Sequence, residues 1–285
     1  MIVNEILTNK IIEKLEQGCI PWHKPWKGGA SGTPKNFITK KPYRGINIIL
    51  LGIQEHTCPY WATFKQINKL KGHVKKGEKG TIISFYKTYT KKVKNENNEN
   101  NELEEKNSYT LRYYNVFNLE QTENIDYEKP NTDININEFN PIDTCDKIIN
   151  SMPNSPNIEH KQQRAFYMPS KDIVNMPKKN SFNMPEEYYS TLFHELGHST
   201  GHKSRLNRDQ LHKNHMFGSQ DYSKEELVAE LTSCFLCGYA DIEKKVIDNS
   251  ASYIQSWLKK LKNDSNFILN SASLAQKAYD YILDK

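Results

Sequence analysis

Residues 185–202 read PEEYYSTLFHELGHSTGH, and the rest of the chain is best approached from this stretch. Pro185 suits the first turn of a helix, Glu186 and Glu187 suit its positive dipole end, and Tyr188, Leu192 and Leu196 recur every four residues as an apolar stripe. On such a helix His194 and His198 lie on one face and can hold a single divalent ion. Glu195, offset along the helix, reaches a water at that ion. Three fixed positions in five residues also arise by chance, so the surroundings must decide.

A catalytic ion of this kind takes three protein ligands and keeps a position open. The run Glu226-Leu-Val-Ala-Glu230, inside a second predicted helix, offers a glutamate ligand at Glu226 and another carboxylate one turn on. Two alternatives stand beside Glu226. Ser223-Lys-Glu-Glu226 also matches a capping box, in which Glu226 bonds back to the Ser223 backbone and Glu230 is the substitute ligand. His202 is a further candidate, but on an unbroken helix it lies about 12 Å along the axis from His194. Only a break at Gly201 brings it back.

The 285 residues favour two domains over one. With 36% hydrophobic and 26% charged residues, no apolar run of membrane-spanning length and no secretory leader, the expected setting is the cytoplasm, with no membrane partner. Five scattered cysteines fit reduced thiols there, and the Cys234–Cys237 pair, inside a helix, reads as buried thiols. The net charge of +5 conceals a split: about +13 over residues 1–94, −9 over 95–150 and +1 over the remainder. The acidic, Asn-rich stretch places a linker at 126–150, between a basic domain at 1–125 and a second domain at 151–285. Within the first, the polar tract at 95–107 is read as a disordered hairpin tip between strands at 81–93 and 109–117.

The local pattern gives an amphipathic first helix on Val3, Ile6, Leu7, Ile11, Ile12 and Leu15, a short helix at 62–70, short strands at 164–168 and 172–176, and helices at 144–151, 185–201, 223–239, 251–261 and 267–283. The class is therefore α+β, with a basic α+β domain followed by a mainly helical domain with a small sheet. In the basic domain, cations stand beside aromatic rings: Trp22, Lys24, Trp26 and Lys27 in a Pro/Gly-rich loop, then Tyr43 and Arg44, then Trp61 with Lys65. Lys75, Lys76 and Lys79 add a basic turn. Cations for phosphates and flat rings for unstacked bases are what sequence-tolerant binding of single strands requires. Trp61 reads as core, whereas Trp22 and Trp26 are open to either use.

Family features then align along most of the chain. The stretch from Tyr167 to Glu230 resembles the ArdC-type or polyvalent-protein metallopeptidase domain, a zincin, through Met168-Pro169, Asp172-Ile173, Met176-Pro177, Phe182, Tyr188-Tyr189, the HELGHSTGH run, Arg205-Leu206-Asn207-Arg208, Phe217-Gly218, Tyr222 and Glu225-Glu226. The first third is similar to the ArdC single-stranded-DNA-binding domain through Pro21-Trp22, Pro25-Trp26, Pro42-Tyr43-Arg44-Gly45, Trp61, Phe64-Lys65-Gln66 and Gly77-Glu78-Lys79-Gly80. The resemblance implies an antirestriction protein of a mobile element that binds single-stranded DNA and carries a peptidase-like site acting on an unknown protein substrate. It implies Zn2+, with Mn2+ as another option, held by His194, His198 and Glu226, and Glu195 as general base. It also implies that residues 172–176 form the edge strand along which a peptide lies.

Overall fold

The computed structural model describes residues 3–22, 33–54, 56–94, 103–127, 141–208, 220–242 and 251–285. Helix α1 (Val3–Glu16) buries Leu7, Ile11 and Leu15 and is followed by Gly18 at φ 76°, a left-handed position that glycine fills without strain. Strand β1 (Lys35–Asn36), helix α2 (Ile46–Gly52) and strand β2 (Tyr60–Thr63) come next. Helix α3 runs Phe64–Lys69, so the expected helix at 62–70 is strand for its first two residues. The reason is a capping box: Thr63 Oγ1 accepts from Gln66 N at 3.3 Å, while Gln66 Oε1 accepts from Thr63 N at 2.8 Å.

After β3 (His73–Val74), the strands β4 (Thr81–Lys94) and β5 (Leu103–Asn118) form a long antiparallel hairpin. The polar tract read as a hairpin tip is thus partly strand, since residues 103–107 pair in register with 90–94; residues 95–102 lie outside the described residues. The four-stranded sheet is ordered β1-β2-β5-β4, and β6 (Thr122–Glu123) pairs with β3. The outer edge of β4 is covered at Ser84 by Asn47 of α2. Its side-chain amide gives and takes one 2.8 Å bond with the Ser84 backbone and so imitates a neighbouring strand.

Helix α4 (Pro141–Ser151) occupies the end of the stretch read as linker and buries Cys145 and Ile148. Strands β7 (Asn157–Glu159), β8 (Phe166–Met168) and β9 (Ile173–Asn175) form a small sheet ordered β7-β9-β8. This corrects one expectation: β9, within the 172–176 segment read as an edge, is flanked by β7 on one side and β8 on the other. Four helices complete the chain: α5 (Pro185–Ser199), α6 (Gln220–Ala240), α7 (Ala251–Asn263) and α8 (Phe267–Ile282).

From Leu227 onward helix α6 is buried on nearly every side because it is a shared wall. Leu227, Val228, Leu231, Cys234 and Phe235 enter one core with α1, α2, α7 and α8, while Leu236, Cys237 and Ala240 enter another with α4, β9 and α5. The larger core therefore contains residues from both sides of the acidic stretch. None of the five cysteines is in a disulfide, and Cys234 and Cys237 are buried. Among the described residues, no helix is long and apolar enough to cross a membrane.

Candidate metal centre

Helix α5 carries the HELGH run and packs along α6, and the closeness of that packing comes from Gly197. A Cβ at Gly197 would stand 3.1 Å from Ala229 Cα and 3.3 Å from Thr232 Cβ. This approach brings the first part of α6 over the histidine face. His194 Nε2 and His198 Nε2 are 3.1 Å apart. The Glu226 oxygens lie 3.6 Å from His194 Nε2 and 3.5 Å from His198 Nε2. Among the described residues this is the one such grouping, its three ligand atoms all within 4.8 Å of one another. A tetrahedral ion with bonds of about 2.1 Å needs ligand atoms about 3.4 Å apart, so the donors have the right spacing and chemistry for one. The side chain of Glu226 is 30% exposed, which leaves the cluster open on one side.

Helix α6 starts at Gln220, ahead of Ser223, so Ser223 stands inside the helix and Glu226 is released from any cap. Instead the Ser223 hydroxyl accepts from Lys260 Nζ. Glu230 Oε1 lies 3.7 Å from His194 Nδ1, on the far side of that ring from Glu226. His202 does not join the cluster: α5 ends at Ser199, and His202 Nδ1 meets Ser204 Oγ at 2.8 Å. Glu195 is buried beside the pair at 8% exposure and is not one of the three clustered donors.

Residue-by-residue reading of the sequence missed what holds His198 in place. Its Nδ1 faces Glu225 Oε1 at 3.4 Å, and Glu225 is itself gripped by Arg208, whose Nε donates to Oε2 at 2.9 Å and whose Nη2 reaches Oε1 at 2.5 Å. Arg208 also donates to Thr200 Oγ1 at 2.6 Å and to the Gly197 carbonyl at 2.9 Å. Gly201 makes room for it, because a Cβ there would meet the guanidinium at 3.0 Å. The helical angle offered a signal: Glu226 and Glu230 share one face of α6, and Glu225 is turned about 100° away, toward a different partner. Arg205 performs a parallel task, bonding Asp172, Tyr167 Oη at 3.1 Å and the Ser199 carbonyl at 2.7 Å, and so tying the end of α5 to the small sheet.

The charges around His198 are unusually concentrated. Burial opposes its charged form, but Glu226, Glu225 and Glu195 overcome this and raise its pKa to about 9. Burial likewise opposes the Glu226 carboxylate, and His198 and His194 overcome it, lowering its pKa to about 2. Glu225 is lowered by His198 and Arg208 against its own burial.

The residues expected to meet DNA are scattered. Trp22 is fully buried, its ring edge-on to Trp257 at 5.8 Å in the largest core, so it offers no face on which a base could stack. Lys24, Trp26 and Lys27 lie outside the described residues. Tyr43 packs against Leu51, Trp61, Ile83 and Val116, and Arg44 pairs with Asp280. Trp61 is core, as expected. Lys65 on α3 and Lys75, Lys76 and Lys79 beside β3 are exposed, although Lys75 Nζ also donates to the Glu120 carbonyl at 2.7 Å.

Residues 144–274 match the family model described as a zincin-like metallopeptidase, and residues 2–117 match the N-terminal domain of anti-restriction factor ArdC. Over 98% of its length the chain is 34% identical to one DNA primase TraC of Escherichia coli and 33% identical to another. It spans only 27% and 20% of those two proteins. It is also 33% identical to the uncharacterized protein y4eC of Sinorhizobium fredii, covering 91% of that protein. The metal-free crystal structure of the antirestriction ArdC protein from plasmid R388 superposes with a TM-score of 0.77 at 31% identity, all of this chain matching 97% of that one. The Mn(II)-bound structure of the same protein gives 0.73 at 30% identity, over 100% and 98% of the two chains.

Proposed function

This chain belongs to the ArdC antirestriction family, and from that premise we propose that it protects a mobile element by holding single-stranded DNA through residues 1–125 while residues 151–285 act as a metal-dependent peptidase. The observation that carries the peptidase reading is the convergence of His194, His198 and Glu226 at tetrahedral spacing, with Glu195 on the same helix. His194 Nε2, His198 Nε2 and a Glu226 oxygen would hold the ion, Zn2+ by donor set and Mn2+ as in the relative from R388. A bound divalent ion would supply Lewis acidity, making a nearby water more acidic and a peptide carbonyl more electrophilic.

The remaining chemistry belongs to the chain. An Oε of Glu195 takes up the proton of the attacking water and then delivers it to the departing amine nitrogen. Glu225 accepts from the Nδ1 side of His198, and the Glu230 carboxylate stands 3.7 Å from Nδ1 of His194, so that the Nε2 atoms would be the ones offered to an ion. Arg208 keeps Glu225 ionised for that purpose.

The test measures four properties in wild type and Glu195→Gln: metal content, cleavage of a generic protein substrate, affinity for single-stranded DNA, and protection of DNA from restriction. The reading expects unchanged metal content with loss of cleavage and of protection. Protection that survives the substitution would favour a second reading, a DNA-coating protein with a structural ion. A regulatory protease whose basic part binds a protein partner would show no DNA affinity at all.

A further inference from the structure

Trp22 is sealed inside the core, so the flat surfaces that bases would need must come from elsewhere. We propose that Phe85 and Tyr114, on one face of the β4–β5 hairpin, are the stacking platform for single-stranded DNA, with Lys87 and Arg112 as its phosphate partners. The inference rests on the reading of residues 1–125 as the DNA-holding part and names the surface that does it.

The register defines the face. Thr81, Ile83, Phe85 and Lys87 of β4 stand opposite Val116, Tyr114, Arg112 and Thr110 of β5, and cross-strand partners project to the same side. The inner end of this row is closed, because Ile83 and Val116 are buried with Leu51 and Trp61, and Tyr43 packs on them. Beyond that closure the same row surfaces. Phe85 is 37% and Tyr114 39% exposed, their ring centroids 5.1 Å apart, with exposed Lys87 and Arg112 alongside. None of these eight positions is acidic. The opposite side of the hairpin turns Ile82 and Leu111 toward the large core.

Contiguous exposed aromatic surface offers a place for a partner to dock. Here the bordering charge selects it: cations without a carboxylate among the eight positions, in a part of the chain that carries about +8 over residues 1–125, complement a polyanion. Rings beside cations suit a polyanion whose bases are unstacked, since every base presents a π face to an aromatic side chain. A duplex keeps its bases stacked on one another and would gain only from the cations.

Fluorescence anisotropy of labelled oligo-dT with the full chain tests this. Phe85→Leu and Tyr114→Leu keep apolar bulk but remove the π face, and each should weaken binding by about 5- to 100-fold. Phe85→Trp should preserve binding. Tyr113→Leu, on the opposite side opposite Ser84, should leave it unchanged. Lys87→Ala and Arg112→Ala should each reduce the slope of log affinity against log salt by about 0.7, and these surface changes decide the matter if the leucine variants fail to fold. Wild-type affinity in a folded Phe85→Leu/Tyr114→Leu double variant, or unaltered slopes in the lysine and arginine variants, overturns the platform while leaving the DNA reading in place. Absence of oligo-dT binding by the wild type overturns both.

Discussion

Around His194 and His198, a carboxylate stands beside each ring and a buried arginine grips one of those carboxylates, whereas on the Phe85–Tyr114 face of the β4–β5 hairpin the rings are more than a third exposed beside exposed cations. The first arrangement suits a ligand of one size and fixed geometry, a divalent ion, and it requires neighbours that cannot shift. The second suits a flexible polymer, where several weak and similar contacts replace a few rigid ones. Substitutions should therefore act steeply and specifically at the first region, and gradually at the second.

The largest effect is expected at Glu195. A general base contributes about 10²- to 10⁴-fold in rate, so Glu195→Gln should lower proteolysis by that order while the ion stays bound, as checked by turnover and elemental analysis. Next comes Glu225→Ala, which strands Arg208, buried at 5% exposure, without its carboxylate. Breaking such a pair costs about 3–5 kcal/mol, and loss of the support to a ligand histidine weakens metal affinity by about 10- to 100-fold. Denaturant melts and metal titrations measure the two effects separately, and Glu225→Asp should restore part of each. A smaller loss is expected from Gly197→Ala, about 1–3 kcal/mol by overpacking against Ala229, again read by denaturant melts. Single alanine substitutions at Lys65, Lys76 and Lys79 should change stability by less than about 0.5 kcal/mol, and each should reduce oligonucleotide affinity only slightly.

The metal cluster also carries a pH dependence of its own. In the ion-free chain His198 titrates at about 9, above its ordinary 6.5, so its contribution to stability is complete below 6.5 and lost as pH rises through about 9. Glu226, lowered from 4.5 to about 2, contributes fully above 4.5 and loses its contribution as pH falls through about 2. Chelator-treated protein should accordingly melt at the highest temperature between about 4.5 and 6.5 if this site dominates. Binding of an ion must expel the His198 proton, so metal affinity should rise with pH through neutrality and level off near 9, with proton release detectable by calorimetry in buffers of different ionisation enthalpy.

Much of the site was legible because helical geometry is a short-range rule. The four-residue spacing of His194 and His198 put both on one face, and the helix signals at Pro185, Glu186 and Glu187 hold in α5. Glu226 was harder, since Ser223 offered it a local partner. Only the start of α6 at Gln220 removes the cap. Glu225 and Arg208 were present as letters of a motif, but no spacing rule says that a loop arginine returns to a helix glutamate. For the same reason the order β7-β9-β8 escaped the sequence, because strand neighbours depend on long-range pairing. Trp22 shows the limit of reading by company: its basic and aromatic neighbours left an exposed ring as open as a packed one, and Trp257, far along the chain, takes it into the core.

The most direct measurement is an anomalous-scattering map of crystals soaked in Zn2+, recorded for wild type and His198→Ala. One ion within about 2.0–2.2 Å of His194 Nε2, His198 Nε2 and a Glu226 oxygen, absent from the variant, is the expected result. An ion held elsewhere, or retained at full occupancy without His198, would contradict the assignment of this cluster as the centre of the protein's chemistry.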